Sequence, residues 1–303
     1  MSVVVSKLTK AFGAQKAVNN ISFEAKPGEI VGFLGPNGAG KSTTMKITTG
    51  YLSPTEGTVQ VCGADVTESS MEVRKSIGYL PEHNPLYLDM YIKEYLRFIG
   101  SLHGLKGRIL RLRIEEMVEL CGLEREQHKK IGAISKGYRQ RVGLAQSLIH
   151  DPPVLILDEP TSGLDPNQIV EIREVIRNIG KDKTVIFSTH IMQEVQAMCN
   201  RVIIINLGQL VADGDVDSLK AMQNQANVFI TEFKEDIDIP LIEKVEGVTK
   251  VEALGDHKYK VFADKEVDVR PTMFELAKTH NWTLVGLQQQ ENTLEDVFQN
   301  LTK

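Results

Sequence analysis

The residues best suited to chemistry lie in one stretch, Gly35-Pro36-Asn37-Gly38-Ala39-Gly40-Lys41-Ser42-Thr43. It follows the apolar run Ile30-Val31-Gly32-Phe33-Leu34 and precedes a helix-compatible segment, Thr44 to Thr49. That is the strand, loop and helix setting which the pattern G-x-x-x-x-G-K-[ST] requires. Glycines let the backbone curl until successive N–H groups converge on phosphate oxygens, and the helix N-terminus adds the positive end of its dipole. Lys41 is then placed to reach the β and γ phosphates of a nucleotide, and the Ser42 hydroxyl to complete the shell of a Mg²⁺ ion. A glycine-rich turn that merely starts a helix is the simpler alternative. With Gly at about 7% of residues, however, the four fixed positions recur by chance in roughly one chain in a hundred of this length.

Two further groups end apolar runs. Val154-Leu155-Ile156-Leu157 stops at Asp158-Glu159, and Thr184-Val185-Ile186-Phe187-Ser188-Thr189 stops at His190. In an open parallel sheet ligands sit at the carboxyl ends of strands, so these side chains are predicted at the crevice of the glycine loop. Asp158 suits Mg²⁺, held directly or through water, because that ion keeps several waters and takes one or two carboxylates. Glu159 is the natural general base to orient or deprotonate an attacking water, a role typically worth ~10²–10⁴-fold in rate. Capping of the next turn is the alternative use of both acids. His190 is either the polar terminus of a strand or a group that contacts the γ-phosphate and reports its loss.

Positioning these groups takes a parallel sheet. Short apolar, β-branched runs alternate with helical patterns through the first two thirds of the chain, which predicts strands joined by crossover helices. Buried strands are expected at Ile30 to Leu34, Val154 to Leu157, Thr184 to Ser188 and Val202 to Asn206. From about residue 88 to 150 the rhythm breaks into helices at Ile92 to Leu102, Ile109 to Leu120 and Tyr138 to Ile149, a helical insertion into an α/β domain. A boundary is expected at about residue 220. Beyond it, residues 221–303 alternate polar strands (Val228 to Phe233, Lys258 to Phe262, Thr283 to Leu287) with amphipathic helices at Pro271 to Lys278 and Leu294 to Leu301. This second region reads as a small α/β sandwich of ferredoxin-like type with an accessory role, since it shows no phosphate loop, metal cluster or nucleophile constellation.

Composition narrows the partners. With 35 Lys plus Arg against 40 Asp plus Glu, the formal net charge of −5 supplies no positive field for a polyanion, so no nucleic acid is expected. Cys62, Cys121 and Cys199 form no CxxC pair and are expected as buried thiols in a reducing compartment. The N-terminal MSVVVSKLTKAFG lacks the layout of a signal peptide, and no apolar run approaches the ~18 residues of a membrane span. A cytoplasmic chain is expected; if it serves a membrane, another chain must cross it.

With these elements in hand, residues 3 to about 220 resemble the ATP-binding subunits of ABC transporters, motif by motif and in the family's order. Phe12 falls where the family places an aromatic residue that stacks on adenine. Gly35 to Thr43 is its phosphate loop. Ile134-Ser135-Lys136-Gly137-Tyr138-Arg139-Gln140-Arg141 resembles its LSGGQ signature, and Leu155 to Pro160 its strand bearing the magnesium and base carboxylates. Ser162-Gly163-Leu164-Asp165 is similar to its dimer-contact loop, and Ser188-Thr189-His190 to its switch histidine. The resemblance implies a P-loop cassette, with N-terminal antiparallel strands, a parallel-sheet core and a helical subdomain, over residues 1–220. It also implies ATP and Mg²⁺ as cofactors, with Glu159, His190 and Lys41 as catalytic residues. Two cassettes would dock head to tail, so that Ser135 and Gly137 of one cover the ATP held by the other, and closure would carry force. An anion site formed by Ser135 and the N–H groups of its helix fits that role.

The chain departs from the family pattern at two places. The signature reads ISKGY, with Lys136 at a variable position, and Gly78-Tyr79-Leu80-Pro81-Glu82 carries Glu82 where many members have Gln. Glu82 would still ligate Mg²⁺, but it changes the charge of the site; a solvated loop acid is the other reading. These variants, with an extension ending Thr293-Leu294-Glu295-Asp296-Val297-Phe298, resemble exporter ATPases of the drug-resistance and gliding-motility group. Such subunits pair with a separate transmembrane permease and lie peripherally on the inner face of the membrane. Tyr87, Tyr91, Tyr95 and Phe98 would share one face if their segment were helical throughout, giving either core or a permease-facing stripe. The rival reading is a soluble ABC-type ATPase with a non-membrane partner, although the chain has neither a second cassette nor a long coiled coil. A GTPase switch would need an NKxD motif that the chain lacks.

Overall fold

The computed structural model describes residues 2–222, 226–265, 267–290, 295 and 298. They fall into two compact units, the first running to Val216 and the second starting at Asp217.

The first unit opens on β1 (Val3–Phe12) and β2 (Gln15–Ala25), an antiparallel hairpin with register shifts along β1. Next, β3 (Ile30–Leu34) enters a different sheet and leads through the glycine loop into α1 (Lys41–Thr48). The chain returns to the hairpin with β4 (Glu56–Val61) and β5 (Ala64–Asp65), completing an antiparallel sheet of order β2-β1-β4-β5. After α2 (Ser70–Ser76) and β6 (Ile77–Leu80) come three successive helices, α3 (Ile92–Leu102), α4 (Gly107–Leu120) and α5 (Lys136–Leu148). Alternation then resumes with β7 (Val154–Asp158), α6 (Pro166–Ile179), β8 (Thr184–Thr189), α7 (Met192–Met198), β9 (Arg201–Asn206) and β10 (Gln209–Asp215).

The second sheet has the order β10-β9-β3-β8-β7-β6. Its strands pair in parallel from β9 to β6, and β10 closes one edge antiparallel. Parallel strands covered on both faces read as continuous apolar runs, and β7 and β8 are buried along their whole length. Alternate side chains nonetheless serve different cores. Leu155, Leu157 and Phe187 pack with Leu96, Met117 and Leu144 of the helical insertion, whereas Ile156 and Ile186 pack with Val5, Leu8 and Met45 on the hairpin side. Strands β3, β8 and β7 are neighbours, so the groups that follow them emerge at one edge.

In the second unit, α8 (Val216–Met222) precedes β11 (Ala226–Phe233), α9 (Ile239–Glu243), β12 (Val248–Gly255), β13 (Lys258–Asp264), α10 (Arg270–Thr279) and β14 (Leu284–Gln290). From β11 to β14 this is the βαββαβ sequence of elements, in an antiparallel sheet of order β12-β13-β11-β14, which is the ferredoxin-like arrangement. Phe229, Phe233, Val261 and Met273 form its own core. The helix predicted at Leu294 to Leu301, and the Thr293 to Phe298 stretch, lie outside the described residues apart from Glu295 and Phe298.

Two expectations need correction. The aromatic stripe is not helical throughout, because α3 begins at Ile92. The Tyr87 ring still reaches Tyr95 (5.9 Å) and Phe98 (5.8 Å), but Tyr91 sits apart at the N-cap of α3 with Lys130 over its ring. Cys62 is exposed rather than buried, because it occupies the left-handed turn (φ 50°) that joins β4 to β5. Cys121 is buried, and burial pushes its thiol up to about 12.

The helical insertion is seated on the sheet through Gly78 of β6, where a Cβ would collide with the Ser147 carbonyl oxygen of α5. Gly78→Ala is therefore expected to cost about 1–3 kcal/mol. A lowered denaturant midpoint at constant m-value would register it; an unchanged midpoint would show that α5 yields without cost.

Candidate functional site

The glycine loop leaves β3 and turns back through Ala39, whose N–H donates to the Pro36 carbonyl (3.2 Å). Two of its glycines adopt left-handed backbones, Gly38 at φ 80° and Gly40 at φ 108°. Space is limiting as well, since a Cβ on Gly40 would strike the Ala17 carbonyl of β2 and one on Gly35 the Ile205 carbonyl of β9. Thr44 then closes the first turn of α1, its N–H donating to Gly40 O at 2.9 Å.

Lys41 is buried at 6% exposure. Its ammonium donates to the carbonyls of Gly35 (2.8 Å) and Pro36 (3.3 Å) and lies 3.5 Å from Glu159 Oε1. The lysine is thus held across the mouth of the loop by groups that a phosphate oxygen can replace. Ser42 Oγ donates to Asp158 Oδ1 at 3.1 Å, and Ser188 Oγ donates to the same oxygen at 2.5 Å. The Ser42 hydroxyl and the Asp158 carboxylate are adjacent hard oxygen donors, with Glu82 lining the same cleft. That set suits Mg²⁺, which takes its remaining ligands from water and phosphate. Burial first, and then the Asp158 charge, push the neighbouring Tyr79 phenol far above its ordinary range, so it stays neutral.

Glu159 occupies a left-handed backbone (φ 51°). Its N–H donates to both the carbonyl (3.2 Å) and the hydroxyl (3.1 Å) of Ser188, and its Oε2 pairs with His190 Nδ1 at 2.8 Å. A cleft of about 430 Å³ brings Gly38, Lys41, Ser42, Glu82, Glu159 and His190 together. Carboxylate, imidazole and ammonium therefore face one space beside a loop of backbone N–H groups. This can bind a polyphosphate and orient a water against its terminal phosphorus.

Other predicted residues lie elsewhere. Phe12 ends β1, half exposed, with Lys10 Nζ 5.2 Å from its ring centroid, and does not line the cleft. Ser135 is exposed and caps α5, accepting from Tyr138 N at 3.4 Å. Gly137 is buried in the first turn of that helix, against the end of the Gln168 side chain. Neither Ser135 nor Gly137 lines the cleft of Lys41 in the same chain. Ser162, Ala17 and Thr43 do. Ser188 was not singled out from the sequence; its position two residues before His190, on a strand ending at the crevice, is the signal that places it there.

A family model described as "ABC transporter" matches residues 18–162, and one described as "AAA domain, putative AbiEii toxin, Type IV TA system" matches residues 130–195. The chain is 37% identical to an uncharacterized ABC transporter ATP-binding protein, YxlF of Bacillus subtilis (strain 168), covering 97% of each chain. It is 31% identical to the bacitracin transport ATP-binding protein BcrA of Bacillus licheniformis, over 99% of this chain and 98% of that one. Identity to the Nod factor export ATP-binding protein I of Ralstonia nicotianae is 33%, over 98% and 92%. Among solved structures, the dimeric post-hydrolysis state of the ATP-binding cassette MJ0796, bound to ADP and Pi, superposes with a TM-score of 0.65 at 26% identity, covering 70% of this chain and 98% of that one. Glycine loop, strand-end acids, histidine and full-length similarity converge, and the chain belongs to the ATP-hydrolysing ATP-binding proteins of the ABC transporter family.

Proposed function

We propose that two copies of this chain close around ATP and drive export through a separate transmembrane permease. The observation that carries the dimer is the separation within one chain: the cleft gathers Lys41, Ser42, Glu159 and His190, while the capped N-terminus of α5 with Ser135 and Gly137 lies outside it. A helix N-terminus is an anion site, and a second copy supplies the anion. The relative solved with ADP and Pi is a dimer, which supports this reading.

In the closed dimer, the loop N–H groups and Lys41 bind the β and γ phosphates, and Phe12 stacks on adenine. Ser42 and Asp158 would hold Mg²⁺, with Glu82 as a further oxygen donor, and the ion would neutralise charge on the phosphates. Glu159 accepts a proton from the attacking water as the bond to the leaving ADP oxygen breaks. His190 holds that carboxylate through the Nδ1 to Oε2 contact and contacts the γ-phosphate. Ser135 and Gly137 of the second copy complete the site, so hydrolysis waits on closure.

Among the described residues no helix is long and apolar enough to cross a membrane, so the membrane-spanning part belongs to another chain in this reading. Relatives named for bacitracin transport and Nod factor export support an exporter with a permease partner; the drug-resistance and gliding-motility subgroup and a place on the inner face of the membrane are part of our reading from the sequence motifs. Tyr87, Leu88, Tyr91 and Phe98 are exposed apolar side chains around the start of α3 and offer the docking surface. The second unit, with its own core and fold, is assigned an accessory, regulatory or dimer-stabilising role.

Glu159→Gln is expected to lower the ATP turnover number by about 10²–10⁴-fold while the protein binds ATP and accumulates as a dimer in gel filtration; wild-type turnover would exclude Glu159 as the base. Asp158→Asn should raise the Mg²⁺ concentration for half-maximal turnover by about tenfold or more, given one lost carboxylate ligand, and an unchanged Mg²⁺ titration would remove it from the metal site. Tyr91→Asp should fold well, because Asp is a favoured N-cap residue. It is expected to keep ATP binding and lose co-purification with the permease; retained co-purification and transport would move the docking surface elsewhere.

A further inference from the structure

One buried carboxylate lies outside the cleft. Glu194, in the first turn of α7, is fully buried. Thr161 Oγ1 donates to its Oε1, and Thr189 Oγ1 donates to its Oε2 at 2.6 Å. Arg173 Nη2 of α6 stands 3.9 Å from Oε1. The two threonines are themselves buried, and each sits beside a cleft residue: Thr161 two residues after Glu159, Thr189 immediately before His190. Thr189 Oγ1 also accepts from Ile191 N at 3.0 Å, so the turn carrying His190 is held on both sides. Buried charge is retained only where its lone pairs are met, and here both hydrogen-bond donors come from segments that deliver the reacting groups.

We propose that Glu194 is a positioning residue for hydrolysis: through Thr161 and Thr189 it fixes the spacing of Glu159 and His190. The Glu159 backbone is left-handed, and the Oε2 to His190 Nδ1 contact is 2.8 Å. The phosphate loop reaches Glu159 through the Lys41 ammonium, 3.5 Å from Oε1, but the Oε2 to His190 contact and the turns bearing the two threonines lie outside it. Glu194 therefore acts on the attacking-water side of the site, since both of its donors, Thr161 and Thr189, lie outside the phosphate loop. A misplacement of about 1 Å at a reacting group is enough to cost ~10²-fold in rate. This inference rests on Glu159 and His190 serving hydrolysis.

The test compares full-length wild type with Thr161→Val, Thr161→Ser and Glu194→Gln. Thr161→Val keeps the volume and removes only the hydroxyl. It is expected to lower kcat about ten- to a hundredfold with the dissociation constant for ATP near wild type, while the melting temperature falls by a few degrees because Glu194 loses a donor. Thr161→Ser, which retains the donor, is expected to restore kcat. Glu194→Gln should lower kcat in the same direction. A Thr161→Val protein with wild-type kcat would overturn the proposal, as would one that loses ATP affinity in step with kcat, since that pattern marks general loosening. If wild type hydrolyses ATP and Glu159→Gln does so equally well, the hydrolytic assignment itself fails, independently of the threonine result.

Discussion

The Asp158 carboxylate receives hydrogen bonds from Ser42 and Ser188 on a single oxygen, Oδ1. Those bonds join the helix after β3, the end of β7 and the end of β8, three adjacent strands of the parallel sheet. An anion buried at this point is tolerable only because donors converge on it. Their convergence depends on the strands ending in register, Leu34 opposite Thr189 and Asp158 opposite Ser188. A slip of one residue would turn Asp158 to the opposite face of the sheet, into the core of Phe187 and Leu144 on the side of the helical insertion. The two apolar cores on either face of the sheet thus act together as a register device for one carboxylate.

Much of this was legible in the sequence because it is local. The glycine loop is contiguous, its turn geometry follows from glycine positions, and a run such as Val154 to Leu157 announces a doubly covered strand. The three inserted helices were placed by apolar periodicity, with starts displaced by two residues at most, Gly107 for Ile109 and Lys136 for Tyr138. The N-terminal hairpin strands were not read individually. β1 carries register shifts at Leu8 and Lys10 and mixes buried with exposed residues, so its alternation is broken. Glu194 was illegible for a different reason. On an amphipathic helix an acid reads as solvated, and only tertiary structure shows it surrounded by Thr161, Thr189 and Arg173.

The second unit shows how far pattern alone reaches. Its strands alternate polar and apolar residues because one face is covered by α9 and α10, and Phe229, Val261 and Met273 meet there. The alternation gave the strands, and their order follows from two βαβ crossovers interleaved in one sheet. No feature of that core refers to ATP. Its role is therefore a question about what it touches, which belongs to the assembly and not to the fold.

The left-handed backbone at Glu159 has a consequence for the chain's history. A non-glycine residue in that conformation carries local strain of about 1–2 kcal/mol. Glycine would relieve it and would also remove the carboxylate that faces Lys41 and His190. Backbone strain at this position is thus relieved only by giving up the carboxylate proposed as the base. With Glu159 in the proposed role, its retention in a descendant chain against that strain marks continued demand for turnover.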